Sequence, residues 1–218
     1  MTTNALNRLA QEGEGLHLEF KHKAADPQKI LREIAAFSNA QGGTLLIGVD
    51  DDGTVRGVKD PQEEIYAMQA AIERYCKPQP VYQLEEIPVS RKRSVLVFAV
   101  EEAEKKPMFV IYNERRGTGR AYVRVADRSV QASRELRKIL KMKQKGEGDP
   151  FVYGDTEQAL MQFLQKQEHI TLVELTEIAQ ISQEQASQVL VNLTASRVLQ
   201  IHPGEQTDHY SLFEYQNF

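Results

Sequence analysis

Five carboxylates, Glu14, Glu19, Asp50, Asp51 and Asp52, are the residues with the clearest chemical potential. The three aspartates follow the aliphatic run Leu45-Leu46-Ile47-Gly48-Val49 and precede Gly53, the pattern of a buried strand ended by a tight acidic turn. Hard cations such as Mg²⁺ or Mn²⁺ take oxygen ligands from a rigid scaffold, and carboxylates at adjacent strand ends could converge on one. Such an ion would polarise a phosphate and activate a water, with Lys21 neutralising the scissile group. A hairpin turn alone also favours Asp and Gly, so spacing leaves both readings open.

A second set is cationic. Arg115, Arg116, Arg120 and Arg124 surround Gly117-Thr118-Gly119, with Tyr112 and Tyr122 close by. Guanidinium groups pair bidentately with phosphates and aromatic faces stack unpaired bases, which is the composition of a nucleic-acid surface. Arg91-Lys92-Arg93 offers another basic tip. The alternative is a pair of solvated hairpin ends opposed by Glu101, Glu102 and Glu104.

Other chemistries find little support. Gly42-Gly43 fits neither G-x-x-x-x-G-K-[ST] nor G-x-G-x-x-G, and a helix C-cap with positive φ explains it. The five histidines lack ligand spacing, and no serine sits in a G-x-S-x-G elbow. A lone Cys76 excludes an internal disulfide and a thiolate zinc site, and reads as a packed helix-end residue.

The elements that must position these groups follow from periodicity. Asn4–Gln11 predicts a short helix. Leu16, Leu18 and Phe20 alternate with His17, Glu19 and Lys21, as in a half-buried strand whose polar face carries Glu19 and Lys21. Asp26-Pro27 starts a helix with Ile30, Leu31, Ile34, Ala35 and Phe37 inward. A helix over Pro61–Cys76, strands at Val81–Val89 and Ser94–Val100, extended segments at Met108–Tyr112 and Arg120–Val125, and a basic helix Arg134–Lys145 complete an α/β (α+β) domain with a mixed sheet.

Residues 1–145 carry 25 Lys and Arg against 20 Asp and Glu, while 146–218 carry 2 against 11. This asymmetry predicts two domains with different partners, 1–145 and 155–218, joined by the glycine-containing linker 146–154. Helices from Asp155, over Leu172–Ile178 and over Gln183–Arg197, then strands Val198–His202 and Tyr210–Phe213, predict a winged helix-turn-helix. Its candidate recognition helix holds glutamines and Asn192, able to read adenine, yet the domain's acidity argues for protein contact or dimerisation. The N-terminus lacks a targeting signal and no apolar run reaches membrane-span length, so a cytoplasmic protein without membrane contact is expected.

Glu14-x-x-x-x-Glu19-Phe20-Lys21 followed by Ala36-Phe37-Ser38-Asn39-Ala40-Gln41-Gly42-Gly43-Thr44 and the strand into Asp50-Asp51-Asp52-Gly53 resembles the AlbA-like domain of Schlafen proteins and bacterial transcriptional regulators. The resemblance covers about residues 8–140. It implies nucleic-acid binding, often with a winged helix behind the domain. Some Schlafen proteins cleave RNA with three acids, which by motif are Glu14, Glu19 and Asp51 here; in the animal nucleases two such modules form a clamp, so this chain, with one, would need a partner subunit. Bacterial relatives show Tyr-x-Arg-x-Gly-Ser near the domain end; here Tyr122-Val123-Arg124-Val125-Ala126-Asp127-Arg128-Ser129 has alanine for glycine and an inserted aspartate.

The expectation is a DNA- or RNA-binding regulator using Lys21, Arg115, Arg116, Arg120 and Arg124, assembled as a homodimer through the winged helix. The alternatives are a metal-dependent endoribonuclease using Glu14, Glu19 and Asp51, and a protein-interaction module.

Overall fold

The computed structural model describes residues 1–113, 115–145 and 153–213. It divides into two compact units, Met1–Gln131 and Ala132–Phe218. Most of the linker expected at 146–154 lies outside the described residues.

In the first unit, helix α1 (Thr3–Glu12) leads to strand β1 (Leu18–Lys21), helix α2 (Pro27–Asn39) and strand β2 (Gly43–Ile47). β1 and β2 are parallel, joined through α2, and β2 continues antiparallel to β5 (Arg93–Val100), which pairs with β4 (Tyr82–Ser90), giving the order β1-β2-β5-β4. The period of two along each strand sorts side chains between two cores. Leu45, Ile47, Leu96 and Phe98 pack beneath α2 and α3 (Pro61–Tyr75), whereas Leu18, Phe20, Leu46, Val95 and Val97 pack with Leu6 and Ala10 of α1. β1 is therefore covered on both faces rather than half-solvated, and Leu16, expected within it, is exposed before the strand begins.

Three short strands, β3 (Cys76–Lys77), β6 (Phe109–Asn113) and β7 (Thr118–Arg120), form a second sheet, and β8 (Tyr122–Val125) with β9 (Arg128–Gln131) forms a hairpin. Cys76 is buried at the α3 end, and burial pushes its thiol up to about 12. The expected extended segment Arg120–Val125 is thus split between two sheets at Ala121, and β9 has no counterpart in the sequence reading.

The second unit holds α4 (Arg134–Lys145), α5 (Asp155–Leu164), α6 (Leu172–Ala179), α7 (Gln183–Ala195) and an antiparallel pair, β10 (Leu199–His202) and β11 (His209–Leu212). Thr171 with Glu174 and Ser182 with Gln185 close capping boxes on α6 and α7. Ile139 of α4 joins the core of Leu160, Leu175, Leu190 and Tyr210, which places this basic helix with the second unit. The charge map changes accordingly: Met1–Gln131 carries 19 Lys and Arg against 19 Asp and Glu, and Ala132–Phe218 carries 8 against 12. The first unit is thus balanced in net charge, and any attraction it has for anions is local.

Candidate nucleic-acid interface

Glu19 stands opposite Leu45 in the β1–β2 register, so its side chain enters the core beneath α2. There it meets Glu33 of α2 and Arg124 of β8. Arg124 Nη1 donates to Glu19 Oε2 at 2.9 Å, to Glu33 Oε2 at 3.1 Å and to Ser129 Oγ at 3.2 Å, while Nη2 donates to the Gly15 carbonyl at 2.6 Å. Its guanidinium lies 4.9 Å from the centre of the Phe37 ring. Lys21 Nζ bonds Glu19 Oε1 and, at 2.8 Å, the Phe20 carbonyl; Arg32 Nε reaches Glu33 Oε1 at 2.6 Å. Burial first, and then the neighbouring charge of Glu33, raise the Glu19 carboxyl above its ordinary value.

This arrangement corrects one expected contact. The Arg124 side chain is fully buried and its charge is matched by carboxylates, so it faces no ligand; Lys21 is half-buried and paired. Arg124 ties β1, α2 and β8 together, and removing one member of such a network strands the other charges in low dielectric. The sequence does carry a signal for it. Glu33 lies on the apolar stripe of α2, three residues from Ile30 and four from Phe37, and an acid there calls for a buried cation.

The other acids are dispersed. Glu14 Oε1 accepts from the Phe20 amide at 2.9 Å and closes the loop before β1. Asp50 is held by His22 Nδ1 at 2.6 Å and by Arg56, which keep its carboxyl below the usual range, Arg56 contributing most. Asp52 accepts from the Thr54 amide at 2.8 Å, and the Gly53 amide donates to the Asp50 carbonyl, so the acidic stretch builds a hairpin turn with Asp51 exposed. Among the described residues no group of three His, Cys, Asp or Glu side chains is placed to hold a metal ion. Both Glu19 oxygens are taken by cations, so this donor set does not fit Mg²⁺ or Mn²⁺.

The basic hairpin is different in kind. Arg115, Arg116 and Arg120 are all exposed around the β6–β7 turn, where Gly117 takes φ +60° and Asn113 Oδ1 accepts from the Arg116 amide at 3.1 Å. The Arg120 guanidinium lies 5.5 Å from the centre of the exposed Tyr112 ring, and the Tyr112 and Tyr122 hydroxyls are 2.9 Å apart. Three cations with no ion pair to a carboxylate among the described residues, beside an aromatic face, form a surface that can hold phosphate and stack a base.

A family model described as Schlafen, AlbA_2 matches residues 14–133. The chain belongs to the Schlafen AlbA_2 family. Among solved structures, the DIP2311 protein from Corynebacterium diphtheriae matches at 19% identity over 62% of this chain and 30% of its own, with a TM-score of 0.45. The N-terminal domain of a RecG-related protein from Nitrosomonas europaea matches at 26% identity over 46% of this chain and 72% of its own, with a TM-score of 0.39. The chain thus spans under a third of the first of these proteins.

Within this AlbA_2 domain the Ser38-Asn39-x-x-Gly42-Gly43 stretch has structural work. Buried Asn39 donates to the Met108 and Tyr122 carbonyls, each at 2.9 Å, and accepts from the Met108 amide at 2.7 Å, fastening the strands that lead to the basic tip. A Cβ on Gly42 (φ +78°) would lie 2.7 Å from the Val100 carbonyl, and one on Gly43 would lie 2.3 Å from the Phe37 ring. The close approach of helix, sheet and loop explains both glycines without a phosphate. Ala126, where the resembled motif has glycine, turns β8 into β9 at φ +53°, a conformation an alanine adopts at a cost.

In the second unit the glutamines of α7 are largely committed. The Gln185 side chain accepts from Ser182, and Gln188 Nε2 bonds Asn192 Oδ1 at 2.7 Å. α4 covers one flank of α7: Arg134 bonds Glu184 bidentately at 2.8 and 3.1 Å, and Ser187 Oγ donates to Glu135 at 2.8 Å. Among the described residues no helix is long and apolar enough to cross a membrane.

Proposed function

We propose that this AlbA_2 protein binds nucleic acid, DNA or RNA, through the β6–β7 tip of its first unit, as part of a regulator whose second unit mediates assembly into a homodimer. The carrying observation is the exposed set Arg115, Arg116 and Arg120, with Arg120 over Tyr112, in a unit whose overall charge is balanced. Family membership supports the same reading, since AlbA_2 domains are regarded as nucleic-acid-binding. The order α5-α6-α7-β10-β11, with Ile170 bridging Tyr210 beside the hairpin, supports a winged-helix reading of the second unit. Its acidity and the α4 cover on α7 favour protein over DNA as its partner. The endoribonuclease alternative needs Glu19 as a free ligand, and its ion pairs lend that no support.

The test is fluorescence anisotropy with labelled RNA, single-stranded DNA and duplex DNA across a salt series, with Mn²⁺ included in parallel samples run on a gel. The reading expects affinity to fall linearly with log salt and the Arg115→Ala/Arg116→Ala/Arg120→Ala variant to lose roughly one unit of slope per phosphate contact removed. Salt-independent behaviour, or an unchanged triple variant, would overturn it. Mn²⁺-dependent cleavage would restore the nuclease alternative.

A further inference from the structure

A cleft of about 790 Å³ opens beside the β4–β5 turn, lined by Lys59, Arg91, Lys92 and Arg93 with only Asp60 and Glu86 as acids. Glu86 accepts from Ser94 Oγ at 2.7 Å and from Gln62 Nε2 at 3.0 Å, and the lining keeps four cations against two carboxylates. Arg93 is pinned at the wall, where its Nη1 donates to the Gly57 carbonyl at 2.8 Å. Lys59, Arg91 and Lys92 are exposed, and no carboxylate among the described residues forms an ion pair with them. Lys21, Lys29, Arg32, Arg56, Lys106 and Arg124 of the same unit are, by contrast, each matched by an acid. Unmatched cations around a concave wall focus a positive potential and raise the local concentration of anions.

The lining also says what kind of anion fits. No aromatic ring borders the cleft, in contrast to the Tyr112–Arg120 tip, so its lining is made for charge more than for base stacking. Ammonium and guanidinium donors recognise phosphate oxygens without regard to sequence. The two basic features are also attached at opposite ends of one rigid helix. Lys59 and Asp60 immediately precede α3, and β3, which follows α3, pairs with β6 of the tip.

We propose that the Lys59–Arg91–Lys92–Arg93 cleft is a second nucleic-acid contact, holding the phosphodiester backbone of the strand whose bases meet the β6–β7 tip. The inference rests on the nucleic-acid reading above. It divides the labour: the cleft supplies phosphate contacts alone, and the tip adds stacking to its own phosphate contacts.

The experiment compares the wild-type full chain, Lys59→Gln/Arg91→Gln/Lys92→Gln and the triple arginine tip variant, by anisotropy on single-stranded oligonucleotides of several sequences over a salt series. Thermal unfolding checks that the exposed substitutions leave the fold intact, with Arg91→Gln alone as the milder variant. The expected result is weaker binding of the cleft variant by the same factor on every sequence, with the salt slope reduced by about 2 for three lost contacts at about 0.7 each. An unchanged slope in the cleft variant, with binding still lost in the tip variant, overturns the cleft and leaves the reading standing. Wild-type protein that shows no salt-sensitive binding overturns both. Inorganic phosphate separates the remaining source of the same chemistry. Displacement beyond that of chloride at equal ionic strength would mean that the cleft takes the free anion, and would overturn the strand assignment.

Discussion

Arg120 and Arg124 are four residues apart and have opposite fates. Arg120 projects from the end of β7 over the Tyr112 ring, in solvent. Arg124, on β8, is sealed beneath α2 between two glutamates. The peptide between them changes sheets at Ala121, and that switch decides which guanidinium can meet a phosphate and which can only hold the fold. Residue type and proximity in the sequence are therefore poor guides to function in this stretch; matched or unmatched charge is the better one.

The comparison is most strongly tested by breaking the buried side. Arg124→Ala leaves Glu19 and Glu33 without their shared cation, and is expected to lower unfolding stability by about 3–5 kcal/mol, the cost of an orphaned buried charge. Urea denaturation measures it, and a loss below about 1 kcal/mol would mean that the network does not clamp the unit. The turn that follows sharpens the point from the same hairpin. Ala126→Gly relieves a left-handed alanine at φ +53°, and a gain of about 0.5–1 kcal/mol is expected in the same measurement. A destabilised Ala126→Gly variant would show that the turn is not strained there.

A smaller effect separates the two units by pH. Glu19 has its carboxyl raised by burial and by Glu33, so its contribution favours folding below the ordinary value of about 4.5 and is lost as pH rises through the raised one. His202 has the opposite sign. Burial, then His169 and His209, whose ring centres lie 5.2 and 6.3 Å apart from one another in the pairs His169–His202 and His169–His209, lower its value. Stability from the neutral His202 ring is present above about 6.5 and is lost as pH falls through the lowered value. Denaturation at pH 7.5 and 5.5 is expected to show the wild type losing more stability on acidification than His202→Gln; equal losses would remove the histidine cluster from the account.

The local parts of this structure were legible in the sequence. Asp26-Pro27 starts α2, Ser182 with Gln185 caps α7, and Gly117 marks the hairpin tip, because each is a short-range bargain between a side chain and nearby backbone. The long-range parts were not. Arg124 finds Glu19 and Glu33 across 105 and 91 residues, and β9 is recognisable by its pairing with β8. The basic helix α4 looked like part of the first domain by charge, yet Ile139 commits it to the second core, and with it goes the apparent excess of positive charge in the first unit. Of the candidate site, Arg115, Arg116 and Arg120 are exposed, and of the two tyrosines the sequence offered beside them it is Tyr112 that lies beneath Arg120.

If unmatched arginine binds while matched arginine folds, binding and stability separate when both are measured on Arg120→Ala and Arg124→Ala side by side. Affinity for single-stranded DNA is read at fixed salt, scaled to the folded fraction, alongside the urea midpoint. The expected result is crossed: Arg120→Ala keeps its stability within about 0.5 kcal/mol of wild type and loses affinity, whereas Arg124→Ala loses stability and its folded fraction binds like wild type. An Arg120→Ala protein that binds normally, or an Arg124→Ala protein that folds normally and fails to bind, would contradict it.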